Sequence, residues 1–175
     1  MELTITGILG LGSERAVADM VVEMIGDDTG RFSMVMDLCF LDKYPLSMRA
    51  ARVIQLCCEK EPRRILPFLP EVIEKTMTAK VDGVKRNFLK ILAEFIDINW
   101  IADAGPLLNQ CFDWITDNRE NPAIRIYAME IACKIGNGEP DLLKELKATI
   151  EFLPENSPPS IKNRGAKVLR KIKIS

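Results

Sequence analysis

Four short fragments of this chain recur at nearly constant spacing, and that spacing limits the possible folds more than any other feature. They read Met48-Arg49-Ala50-Ala51-Arg52-Val53, Val84-Lys85-Arg86-Asn87-Phe88-Leu89, Ile124-Arg125-Ile126-Tyr127-Ala128-Met129 and Ile161-Lys162-Asn163-Arg164-Gly165-Ala166. Successive copies start 36, 40 and 37 residues apart. Each follows a turn, carries a cationic residue at its start, and continues as an amphipathic apolar helix. A period on the order of 40 residues accommodates two helices, and a lone helical hairpin cannot bury both of its faces. Such hairpins stack. The spacing therefore predicts an all-α fold, an α-solenoid (a right-handed superhelix) of about four to five hairpins.

Turn signals divide the rest of the chain. Ser13 is a candidate N-cap for a helix over 14–26, and Gly30 precedes a second helix over 31–41. Tyr44-Pro45 breaks the chain before a third helix over 46–60, where Ala50, Val53, Ile54 and Cys57 share one stripe. Pro62 ends that helix, because proline disfavours helix in the residue before it. A fourth helix over 64–78 carries Pro67 and Pro70 early, so it is expected to start late or bend. Asp82 is read as the cap of a fifth over 83–96, with Val84, Phe88, Ile91, Leu92 and Phe95 inward. The remaining four are expected over 106–117, from Asn121-Pro122 to Gly136, over 140–153 and over 160–173. Period-2 alternation occurs only in Leu3-Thr4-Ile5-Thr6. No linker separates these segments, so residues 1–175 read as a single domain.

Composition narrows the function classes. The chain of 175 residues has a formal net charge of −1, but the charge is unevenly spread. The segment 156–175 holds Lys162, Arg164, Lys167, Arg170, Lys171 and Lys173 and no acid, on an otherwise acidic body. That last helix reads either as a solvated cap with cations near its C-terminus or as a docking surface for an acidic partner or phosphates. The five cysteines show no Cys-x-x-Cys spacing and read as buried thiols of a cytoplasmic protein. The stretch from Leu3 to Gly12 is short, interrupted by glycine and preceded by Glu2, unlike a secretory leader. No run reaches the ~20 apolar residues of a membrane span.

The chain has no histidine, the side chain most often used for acid–base work near neutral pH. Neither a Ser-His nor a Cys-His pair can form, which argues against an enzyme; no cofactor and no metal site are expected. Gly7, Gly10 and Gly12 begin a dinucleotide-type pattern, but position 15 is Arg15, so they read as a turn before a helix cap. Trp100 and Trp114 flank Gly105-Pro106 near Asp97, Asp103, Asp113 and Asp117. That region reads either as packing or as an acid-rich groove. The strongest constellation is a cationic ladder: Arg49, Lys85, Arg125 and Lys162 occupy the same place in successive units, Arg52, Arg86 and Arg164 lie within one turn, and Arg49, Arg86, Arg125 and Arg164 are the candidate binding residues. It reads either as a row that binds phosphate or acidic peptide or as a set of ion pairs tying the stack together. Asp42, Asp82, Asp117, Glu120 and Glu155 lie close before these cations. On the second reading Arg86→Ala should lower the melting temperature.

The fragments Pro45-Leu46-Ser47-Met48-Arg49-Ala50-Ala51, Val84-Lys85-Arg86-Asn87, Asn109-Gln110-Cys111-Phe112 and Ile126-Tyr127-Ala128-Met129 resemble small HEAT-like, or armadillo-like, repeat proteins of bacteria of the Bacteroidetes type. The resemblance covers about residues 14–173 and implies the solenoid fold. A more distant resemblance is to alkylpurine DNA glycosylases built from HEAT-like repeats, which place Trp, Asp and Arg around a lesion; Trp114, Asp113 and Arg125 are the corresponding residue types here. The expected function is a non-enzymatic scaffold that binds a protein partner, and the alternative is nucleic-acid binding.

Overall fold

The structure, a computed structural model, describes residues 3–172. Lys173 of the basic tail and Glu2 lie outside the described residues. Among the described residues the fold is all-α, with ten α-helices, two 3-10 turns and no strand. The chain divides into two compact units, Met1–Phe95 and Ile96–Ser175.

The first unit opens with α1 (Ile5–Leu11), where the sequence showed a four-residue period-2 run and a glycine turn. The Thr4 hydroxyl accepts a hydrogen bond from the Gly7 amide at 3.1 Å, which caps the helix start. Gly7 and Gly10 lie inside this helix, and Ile5, Ile8 and Leu9 are buried. Helices α2 (Arg15–Ile25) and α3 (Thr29–Phe40) follow. Ser13 does not cap α2; Glu14 occupies that place and the Ser13 hydroxyl is taken by Arg49. Asp28 caps α3 instead, accepting from the Arg31 amide at 2.9 Å.

A tight corner joins α3 to α4 (Leu46–Lys60). Its Tyr44–Pro45 peptide is cis. Ser47 is fully buried, and its hydroxyl donates to the Leu38 carbonyl at 2.7 Å while accepting from the Lys43 amide at 2.9 Å. Asp42 adopts φ 53°, and its carboxylate pairs with Lys75 at 3.0 Å. Pro67 lies inside a 3-10 segment over Pro62–Phe68 and Pro70 in the first turn of α5 (Leu69–Thr78), the late start expected from the two prolines. Helix α6 (Asp82–Glu94) buries Val84, Phe88, Ile91 and Leu92. Asp82 stands inside its first turn, and Val81 is the cap residue.

The second unit holds a 3-10 turn at Ile98–Trp100 and the helices α7 (Gly105–Thr116), α8 (Pro122–Ile135), α9 (Pro140–Glu151) and α10 (Pro159–Lys171). Proline near the start of α7, α8, α9 and α10 fits the missing N–H of the first turn.

Alternate helices stack. In the first unit α4 packs on α2 and on α6; in the second α10 packs on α8, and α9 on α7. The four sequence fragments all fall on this alternation, in α4, α6, α8 and α10. Each begins at the third residue of its helix: Met48, Val84, Ile124 and Ile161. The last three are fully buried and Met48 is half-buried, so the repeat marks the start of the face that each helix turns to its neighbours.

Candidate functional site

The shared register sorts the cationic ladder. Arg49 and Arg125 both stand at the fourth position of their helices, Arg86 at the fifth and Arg164 at the sixth. One residue turns a helix by about 100°. The four arginines therefore leave their own helices in three directions.

The two at the fourth position do the same thing. The Arg49 guanidinium donates to the Leu9 carbonyl at 2.8 Å, and its Nε donates to the Ser13 hydroxyl at 3.0 Å. The Arg125 Nε and Nη2 donate to the Ile115 carbonyl at 3.1 and 3.0 Å. Each thus holds the carbonyl end of another helix, α1 or α7, where unpaired acceptors and the negative end of the helix dipole favour a cation. Arg125 is only 1% exposed. Burial pulls its pKa down, and the Asp117 charge opposes that pull. Arg64 does likewise at the end of α2, donating to the Gly26 carbonyl at 2.7 Å with its guanidinium 4.6 Å from the centre of the Phe32 ring.

The other two positions differ. Arg86 is exposed, and among the described residues no hydrogen bond or ion pair holds its side chain. Arg164 donates to Glu130 Oε1 at 2.8 Å, and Lys171 donates to Glu130 Oε2 at 2.7 Å. Two turns of α10 thereby clamp one carboxylate of α8 that is only 15% exposed. Burial pushes the Glu130 carboxyl up, but the bonds from Lys171 and Arg164 outweigh it and hold the pKa below the ordinary value.

Two of the acids expected to pair with the ladder, Asp42 and Asp117, hold other side chains. Asp42 takes Lys75, and its second oxygen accepts from the Lys80 amide at 3.2 Å. Asp117 accepts from the Arg119 side chain at 3.0 Å and from its amide at 2.9 Å. Asp97 and Asp103 accept from backbone amides two residues on, those of Asn99 and Gly105. These are local turn bonds, and they draw Asp97, Asp103 and Asp117 of the suspected acid-rich groove into loop structure, while Asp113 lies within α7. Trp114 is 5% exposed and Arg125 is buried, so neither offers a face to a base. Trp100 is half-buried in its 3-10 turn.

A cleft of about 490 Å³ opens within the second unit, lined by Glu130, Cys133, Lys134, Glu139 and Lys171 among others. Lys134 donates to the Ile96 carbonyl. Burial lowers its pKa, against the charges of Asp97 and Glu130. Sequence reasoning missed this cleft because Glu130 and Lys134 read as ordinary polar positions of a helix. Cys39, Cys57, Cys58 and Cys111 are buried, while Cys133 is half-buried. Desolvation pushes the Cys58 and Cys111 thiols up to about 12. Among the described residues no group of three His, Cys, Asp or Glu side chains is placed to hold a metal ion. No described helix is long and apolar enough to cross a membrane.

Stacked helical hairpins with a recurrent cation at the fourth position define a helical repeat protein of the solenoid class. The sequence matches the HEAT repeat domain family over residues 9–172, and the chain belongs to that family. No curated protein and no solved structure matches it.

Proposed function

We propose that this HEAT repeat protein is a non-enzymatic scaffold that binds another protein. One observation carries the reading: the HEAT repeat domain match runs over nearly the whole chain, residues 9–172. Repeats of this kind offer long side-chain surfaces on a stacked frame, which suits them to holding a partner. The ladder supports the same view, since Arg49, Arg125 and Arg164 spend their donors inside the frame. A protein partner in the cytoplasm is the proposed setting.

The test is affinity capture from a lysate of the native cell, with and without nuclease, followed by reconstitution of the captured protein from purified components. A protein retained after nuclease, and binding directly on reconstitution, is expected. Nucleic acid as the sole retained species would replace this reading with a nucleic-acid-binding one. Turnover of a small molecule at Lys134 or Glu139 of the cleft, abolished by substituting those residues, would replace it with an enzyme.

A further inference from the structure

The cations of α10 divide by face. Residues Lys162, Asn163, Ala166, Lys167 and Arg170 are all exposed. At about 100° per residue they occupy one arc roughly 140° wide. The opposite arc, with Ile161, Gly165 and Val168, is buried on α8 and α9. Arg164 and Lys171 lie at the border and are neutralised by Glu130. Among the described residues Lys162, Lys167 and Arg170 have no such acid, and the sequence from 156 onward contains none. On other helices several surface cations are neutralised within their own helix. Arg15 pairs with Asp19, Lys90 with Glu94, Lys144 with Asp141 and Lys147 with Glu151.

We propose that the outer face of α10 is a docking strip for an acidic helical segment of a partner protein, with Lys162, Lys167 and Arg170 as its three anchor charges. This names the partner chemistry of the scaffold proposed above and rests on that reading. The strip is about 12 Å long, a little over two helical turns. The small side chains of Asn163 and Ala166 lie between the cations, so a second helix can approach while its carboxylates reach the charges. Charge complementarity selects the class of partner. A polyanionic duplex would also meet the net negative remainder of the chain, whereas a short acidic helix need meet only the strip.

The probe is a synthetic helical peptide of Glu and Ala, titrated into the full chain, with a Gln-Ala peptide, duplex DNA and phosphatidylserine vesicles alongside. The triple variant Lys162→Glu, Lys167→Glu, Arg170→Glu reverses the strip at exposed positions, and its melting is checked first. A milder triple variant to Gln stands in if the reversal unfolds. The Glu-Ala peptide is expected to bind wild type in a salt-sensitive manner. The variant should lose about tenfold to a hundredfold in affinity, as three exposed ion pairs of ordinary strength would give. Equal binding by the folded variant, equal binding of the Gln-Ala peptide, or tighter binding of DNA or vesicles through the same residues would each overturn the proposal. Lysate capture separates the two readings. Partners kept by the variant would leave the scaffold standing and remove the strip; capture of no protein by wild type would remove the scaffold even if the peptide binds.

Discussion

A single turn of helix decides what each arginine of the ladder does. Arg125 is buried with its Nε and Nη2 on the Ile115 carbonyl, so Arg125→Ala leaves a void and an unpaired acceptor. It should cost about 2–4 kcal/mol, measured by urea denaturation; a variant as stable as wild type would refute the helix-end role. Arg86→Ala should stay within about 0.5 kcal/mol, because the side chain is exposed and unheld among the described residues. That revises the melting loss expected from the sequence. The recurrence of cations was legible there, and so was its register: Arg49, Lys85, Arg125 and Lys162 all stand at the fourth position of their helices. Arg86 and Arg164 lie one and two residues further on, a rotation of about 100° or 200°, so the binding row drawn through them mixes faces. The thiols give a separate check. Cys133, half-buried, should take up a maleimide in the native protein before Cys39, Cys57, Cys58 and Cys111, which should label only on unfolding. Labelling of Cys111 ahead of Cys133 would contradict the packing of α7.

Between elements, two contacts control how helices meet. A Cβ added at Gly83 would lie 2.2 Å from Met48 Cγ and 3.0 Å from Met48 Cβ, so α4 and α6 approach closely there. Alanine usually favours a helix over glycine by about 1 kcal/mol. Here the clash should dominate, and Gly83→Ala should destabilise by about 1–3 kcal/mol. Adding Met48→Ala should recover part of that loss in a double-mutant cycle. The Glu130 clamp gives a pH signature. Its carboxyl is held below the ordinary 4.5, so its contribution is fully present above that value and lost as pH falls through the folded pKa. Glu130→Gln should therefore flatten the acid limb of stability below pH 4.5, and an unchanged limb would rule the clamp out. Most helices were legible as elements, because α4, α5 and α7 through α10 start beside proline or glycine. Helix α1 was not: Gly7 and Gly10 are breakers by propensity, and burial of Ile5, Ile8 and Leu9 outweighs them.

At the scale of the whole molecule the fold class followed from the repeat spacing, since a buried face must recur wherever one hairpin packs on another. The candidate site followed less well. Lys134 and Glu130 belong to a cleft that exists only once three helices have met, and neither residue carries a local signal. The reading of residues 1–175 as one domain predicts a single unfolding transition by circular dichroism and by Trp fluorescence. Two separated transitions would instead assign separate stabilities to the units Met1–Phe95 and Ile96–Ser175. Arg49 and Arg125 carry one more consequence, and it concerns heredity. Their guanidinium groups grip main-chain carbonyls, a feature every amino acid supplies. The helix being gripped is free to change its side chains without losing its latch. A hairpin copied from one place to another would find the same handhold waiting, which lets an array of this sort lengthen by duplication and then drift in sequence while its joints stay closed.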